Sequence, residues 1–208
     1  MLIPLMLRVG SAFSGLLLLL FVLAHLIGVL PALFAPDTFE AYATALHRSA
    51  WLHLLEPLLL VIAILHLGLT ISKTLVNRQG ENTGTLTSRR GQPLAALASQ
   101  SKVLSGVITL CFAVVHLQQL RWPRPADGAE SAALSAVLQQ PLNVVLYVAG
   151  SIAIGLHLLH GTEAAHRSLG WLNPANKSVL RQGGRLLAAF ISAGFLLSSL
   201  GLAMGVAA

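Results

Sequence analysis

Five runs of this 208-residue chain are each apolar over roughly 20 residues, enough to cross the hydrocarbon layer of a bilayer. Nothing else in the sequence restricts the fold as much. Hydrocarbon offers no water to complete a peptide group, so a lone crossing segment closes its own hydrogen bonds by becoming a helix. The runs lie at about 9–33, 51–76, 101–121, 140–166 and 184–207. Composition agrees, with 55% hydrophobic and 10% charged residues, far from ordinary soluble usage. The predicted fold is all-α: one integral membrane domain over 1–208 with five transmembrane helices. Too little chain is left over for a soluble catalytic domain. Arg8 before the leucine run Leu16 to Leu20 has the look of a secretion signal, but four further runs follow, and the first is read as a retained helix.

Charge placement predicts topology. Of thirteen Lys and Arg, ten lie at Arg8, in the 73–102 loop (Lys73, Arg78, Arg89, Arg90, Lys102) or in the 167–185 loop (Arg167, Lys177, Arg181, Arg185). Arg48, Arg121 and Arg124 fall on the other side. The positive-inside rule then puts the N-terminus in the cytoplasm and the C-terminus outside. Two short surface helices are expected outside, one capped by Asp37-Thr38 and running to His47, the other over Glu130 to Gln140. Asn173-Pro174 turns the chain into the fifth helix, which is expected to lack charge and to serve packing.

Histidine is costly in an apolar helix, yet His25, His66, His116 and His157 occupy the first four. The steps from His25 to His66 and from His116 to His157 are both 41 residues. Laying the first two helices on the next two at a shift of 91 residues superposes these histidines, and also Ser14-Gly15 on Ser105-Gly106. A rise of about 1.5 Å per residue places His25 and His116 more than 20 Å from the inner basic residues, near the outer face. His66 and His157 come out about 10 to 15 Å from them, near the inner face. The pairing predicted is His25 with His116 and His66 with His157, each pair clamping the iron of one haem in a four-helix cage. Two histidines per iron leave no open position, which favours electron carriage over oxygen chemistry.

Residues eleven apart share a helix face, so Ser14 and Ser105 should pass the inner haem, with Gly15 and Gly106 leaving room for a macrocycle edge. Glu56 and Tyr147 each precede a histidine by ten residues and come out near the outer haem. Glu56, His53 and Tyr147 are the candidates for an outer quinone pocket, since an intramembrane carboxylate is a functional hypothesis by default. Arg8, Lys102 and Arg167 are candidates to meet the inner propionates. His47, His160 and His166 lie nearer the interfaces and are not expected to be ligands. The single cysteine, Cys111, excludes a disulfide framework, an iron–sulfur cluster built by this chain alone and covalent haem attachment through C-x-x-C-H.

These residues resemble the five-helix, dihaem cytochrome b anchor of succinate:quinone oxidoreductases, the succinate dehydrogenase and fumarate reductase family, over nearly the whole chain. The carriers are His25-Leu26-Ile27-Gly28, Glu56 ten before His66, His116, and His157-x-x-His160-Gly161 through Ser168-Leu169-Gly170. The resemblance implies a multi-pass protein of a prokaryotic plasma membrane with two haems b, the inner one of higher potential. It implies a flavoprotein and an iron–sulfur subunit on the cytoplasmic face, and a quinone, menaquinone by expectation, as membrane substrate. Electrons would run from succinate through flavin, clusters, inner haem and outer haem to quinone, or in reverse for fumarate reduction. The chain departs from the family at Val29, at Thr162 to Arg167, and at Gly155, where some members carry a glutamate linked to proton movement. Two other readings stand beside it: the cytochrome b subunit of another quinone-linked oxidoreductase, such as a nitrate reductase or hydrogenase, and a cofactor-free transporter built from parallel repeats.

Overall fold

A computed structural model of the chain describes residues 2–79 and 93–205, so the predicted loop cations Arg89 and Arg90 and the predicted end of the fifth helix lie outside the described residues. All regular structure among the described residues is helical: α1 (Leu2–Val29), α2 (Pro31–Phe34), α3 (Pro36–His47), α4 (Leu52–Gln79), α5 (Pro93–Gln100), α6 (Lys102–His116), α7 (Glu130–Leu138), α8 (Pro141–Ser168) and α9 (Lys177–Ala203). Five of them, α1, α4, α6, α8 and α9, are long and apolar enough to cross a membrane. α6 ends in a π-helical turn, Leu117–Arg121, that pattern reading did not foresee.

Three further details differ from expectation. α3 starts one residue before Asp37, with Ala35 at the N-cap position and no side-chain cap, because Pro36 already supplies a helical φ and needs no donor satisfied. α9 starts seven residues before the predicted 184 and takes in Lys177, Arg181 and Arg185, so the fifth helix does carry charge. α5, in the segment read as loop, is a short helix packed on α8.

Within a bilayer, burying apolar side chains against one another gains little over lipid, so helices associate through close packing and interhelical hydrogen bonds. That principle divides this molecule into a spine and two walls. In α8 and α9, 33% and 39% of the apolar window is buried, whereas in α4 none is. A Cβ on Gly155 would meet Ser192 at 2.7 Å and one on Gly194 would meet Leu26 at 2.8 Å. Ser192 Oγ donates to the Ser151 carbonyl at 2.8 Å, tying α9 to α8. Leu26 of α1 and Ile191 of α9, both fully buried, fill the seam with Leu158 and Ala188. α4 packs on α1, and α6 packs on α8. Among the described residues, no substantial packing joins α4 to α6 or α8. A side chain longer than that of glycine has no space at position 155, since Ser192 occupies it.

The end away from Lys73 and Lys102 is roofed. α3 and α7 lie over it, with Leu33, Phe39, Leu134 and Leu138 packed down onto Tyr147. Ionic contacts join the two roof helices. His47 Nδ1 lies 3.2 Å from Glu130 Oε1, and Arg48 pairs with Asp127 at 2.9 Å. Glu40 accepts from the backbone N–H groups of Glu130 (3.2 Å) and Ser131 (2.6 Å), capping α7 from another helix. Burial works against the charge on Glu40, but hydrogen bonds from Glu130 and Ser131 outweigh it and hold its carboxyl below the ordinary value of 4.5. Stabilisation of this sign is complete above the ordinary value and disappears as pH falls through the lowered one. Replacing Glu40 by alanine should cost about 1–2 kcal/mol locally, by analogy with loss of an N-cap. Hydrogen exchange should speed up at the Glu130 and Ser131 amides while those of α8 and α9 stay protected; unchanged exchange at the two amides would contradict the capping role.

Candidate cofactor-binding site

The four intramembrane histidines come together as two pairs. The ring centroids of His25 on α1 and His116 on α6 are 5.8 Å apart with planes at 74°. Those of His66 on α4 and His157 on α8 are 6.4 Å apart at 80°. A metal–imidazole nitrogen bond is about 2 Å, so two imidazoles on opposite sides of one metal have centroids about 6 Å apart. Both pairs stand near that separation. Among the described residues no group of three or more His, Cys, Asp or Glu side chains is placed to hold a metal ion. Pairs are what an iron already held by four macrocycle nitrogens requires.

The pair at the basic end shows which nitrogen is available. Ser14 Oγ donates its proton to the Gly10 carbonyl at 2.8 Å, so in its 3.1 Å contact with His66 Nδ1 the oxygen accepts. The ring proton is thereby fixed on Nδ1, and Nε2 keeps its lone pair for a metal. A Cβ on Gly15 would meet His66 Cε1 at 3.0 Å, and one on Gly106 would meet His157 Cε1 at 3.2 Å. In each half of the repeat, then, a glycine on the first helix seats the imidazole of the second. Gly15 and Gly106, expected to leave room for a macrocycle edge, each have an imidazole ring lying against them.

The repeat is broken at the hydroxyl. Ser105, fully buried, donates to the Lys102 carbonyl at 3.2 Å and does not bond His157. His157 Nδ1 is buried with no hydrogen bond of good geometry, and the Lys102 carbonyl is the backbone acceptor beside its ring. At the roofed end, His116 Nδ1 lies 3.1 Å from the hydroxyl of Tyr147, and Phe112 stacks on the His116 ring at 5.5 Å. His25 is stacked by Phe21 at 5.6 Å.

The polar surroundings rearrange the predicted set. Arg8 and Lys102 are exposed at the basic end and lie within electrostatic reach of half-buried Lys73, whose Nζ is 3.5 Å from Ser168 Oγ. Arg167 does not join them; it is paired with Glu163, which Arg181 also contacts at 3.1 Å. Lys73 was missed as a site residue, although it lies seven positions, about two helical turns, beyond His66 and so on the same face. Among the quinone candidates, Glu56 and His53 lie together, close enough to interact electrostatically. Tyr147 is buried beside His116. Arg121, read only as an outer charge, holds Glu56 by two bonds of 2.5 and 2.6 Å.

Comparison with protein-family models, with curated proteins and with solved structures finds no match. The donor set therefore has to be judged on its own chemistry, and it suits haem b. Neutral imidazoles stand in pairs at metal-bridging separation, one with its tautomer fixed for Nε2 ligation, beside a basic cluster suited to carboxylates. If the two pairs hold haem, replacing Gly106 by valine should push the His157 ring out of line and halve the haem content of the purified protein. A chain that keeps both haems would show that Gly106 does not seat the ring.

Proposed function

We propose that this chain is the membrane anchor and electron carrier of a quinone-linked oxidoreductase, similar in arrangement to the dihaem cytochrome b subunit of succinate:quinone oxidoreductases. The observation that carries the reading is the pair of imidazole pairs, at two depths and at metal-bridging separations of 5.8 and 6.4 Å. Haem b, when bound, supplies reversible one-electron carriage.

The chain's own residues do the rest. His25 with His116, and His66 with His157, hold the two groups at fixed depths. Ser14 orients the His66 ring and Tyr147 the His116 ring, so that each ring keeps one nitrogen for its own helices and one for the centre. Arg8, Lys73 and Lys102 offer positive charge to propionates at the basic end, taken as cytoplasmic. The apolar bundle keeps water away from the imidazoles. Quinone is the membrane substrate, met at the roofed end beside Glu56 and His53. With no flavin or dinucleotide fingerprint and one cysteine in 208 residues, the chain exchanges electrons with flavoprotein and iron–sulfur subunits docked on the basic surface.

A reduced-minus-oxidised spectrum of the purified protein should show b-type haem at two per chain, and a colourless protein would end this reading. His66→Ala or His157→Ala should remove one spectral component and spare the other. His25→Ala or His116→Ala should do the converse; loss of the same component from His25 and His66 variants would overturn the pairing.

A further inference from the structure

Glu56 and Tyr147 occupy equivalent places in the two halves of the repeat, each ten residues before the second histidine of its half. They behave differently. Tyr147 turns to His116, 3.1 Å away. Glu56 crosses instead to the other half and pairs with Arg121, Nε donating to Oε1 at 2.5 Å and Nη2 to Oε2 at 2.6 Å. The crossing depends on the π-helical turn Leu117–Arg121, which follows directly on His116 and has no counterpart after His25. An inserted π turn re-aims the side chains beyond it and is characteristic of functional sites.

The pair lies where α4 and α6 face one another without substantial packing. Two charges taken partly out of water are expensive, and as a mere tie between helices they would do no better than apolar residues. Both remain accessible, Arg121 at 30% and Glu56 at 33% of side-chain surface. His53 and His47 are within electrostatic reach of Glu56. Among the described residues, Arg121 Nη1 makes no hydrogen bond within the chain.

This combination has a specific chemical use. A carboxylate only accepts hydrogen bonds and a guanidinium only donates them. The oxidised form of a quinone presents carbonyl oxygens that only accept, and the reduced form presents hydroxyls that can donate. We propose that the Glu56–Arg121 pair is the polar end of the quinone headgroup site, with Arg121 Nη1 binding the oxidised ring's carbonyl and Arg121 holding Glu56 to receive the reduced ring's hydroxyl. The inference rests on the quinone-linked reading above and adds Arg121 to it, as the group that recognises one redox form and positions the group for the other.

Calorimetric titration of the purified, haem-loaded protein in detergent tests this with 2,3-dimethyl-1,4-naphthoquinone, oxidised or reduced to the quinol. Wild-type protein should bind both forms. Arg121→Leu should weaken the oxidised form about tenfold or more, the effect of losing a hydrogen bond from a charged donor. Glu56→Gln should weaken the quinol more than the quinone. Because Arg121→Leu leaves a carboxylate unpaired in the membrane, the double variant Glu56→Leu with Arg121→Leu provides the control: it should keep two haems per chain and bind neither form. Wild-type affinity for the quinone in Arg121→Leu or in the double variant would overturn the inference, as would loss of both haems from the double variant, which would make the pair a structural tie. Binding of neither form by the wild type would instead sink the quinone-linked reading itself.

Discussion

An imidazole in hydrocarbon is costly unless its ring nitrogens are bonded, because an unsatisfied polar group there costs several kcal/mol, and the placement of α4 follows from how that demand is met at His66. At His66 the answer is specific. Ser14 spends its proton on its own helix and can therefore only accept, so the ring proton is held at Nδ1 and the other nitrogen keeps its lone pair. The bond fixes the rotation of α4 against α1, and Gly15 lets the ring come close enough to make it. Much of the alignment of a helix that packs mainly on one neighbour is set by this contact.

The fold was legible because membrane insertion simplifies the code. Long apolar runs leave the helix as the only solution, and the five spans were found to within a few residues except at the starts of α1 and α9, each seven residues before the predicted bound; at α9, Lys177 to Arg185 continue the helix beyond the apolar window. The histidine pairs were legible for a similar reason: depth in a helix is linear in residue number, so equal spacings translate into equal levels. What depth does not carry is azimuth. Sequence counting brought Arg167 to the right level, but it could not show that Glu163, one turn away on the same helix, would claim it. Nor could it show that the π turn would carry Arg121 round to Glu56, since such a turn adds a residue to the helical repeat without any marker in an apolar sequence.

The internal repeat is most informative where it fails. Glycine against imidazole is kept in both halves, which marks it as a packing requirement of the architecture. The hydroxyl bond is made at His66 and absent at His157, and the outer polar positions have diverged into a tyrosine turned inward and a glutamate turned across. The two members of one pair, drawn one from each half, thus sit in unequal environments, with a serine hydroxyl at Nδ1 of His66 and none at Nδ1 of His157.

The division into spine and walls bears on biogenesis. α1, α8 and α9 lock through glycine and serine contacts that need nothing but the chain itself, while α4 packs mainly on α1 and α6 mainly on α8. In a bilayer, helices insert first and associate afterwards. A three-helix frame would therefore assemble unaided, with the two histidine-bearing walls free to swing aside in the lipid plane. Under the proposed function, a flat, rigid macrocycle too wide to thread between finished helices would enter sideways and draw the walls closed behind it, which would make cofactor capture the last step of assembly.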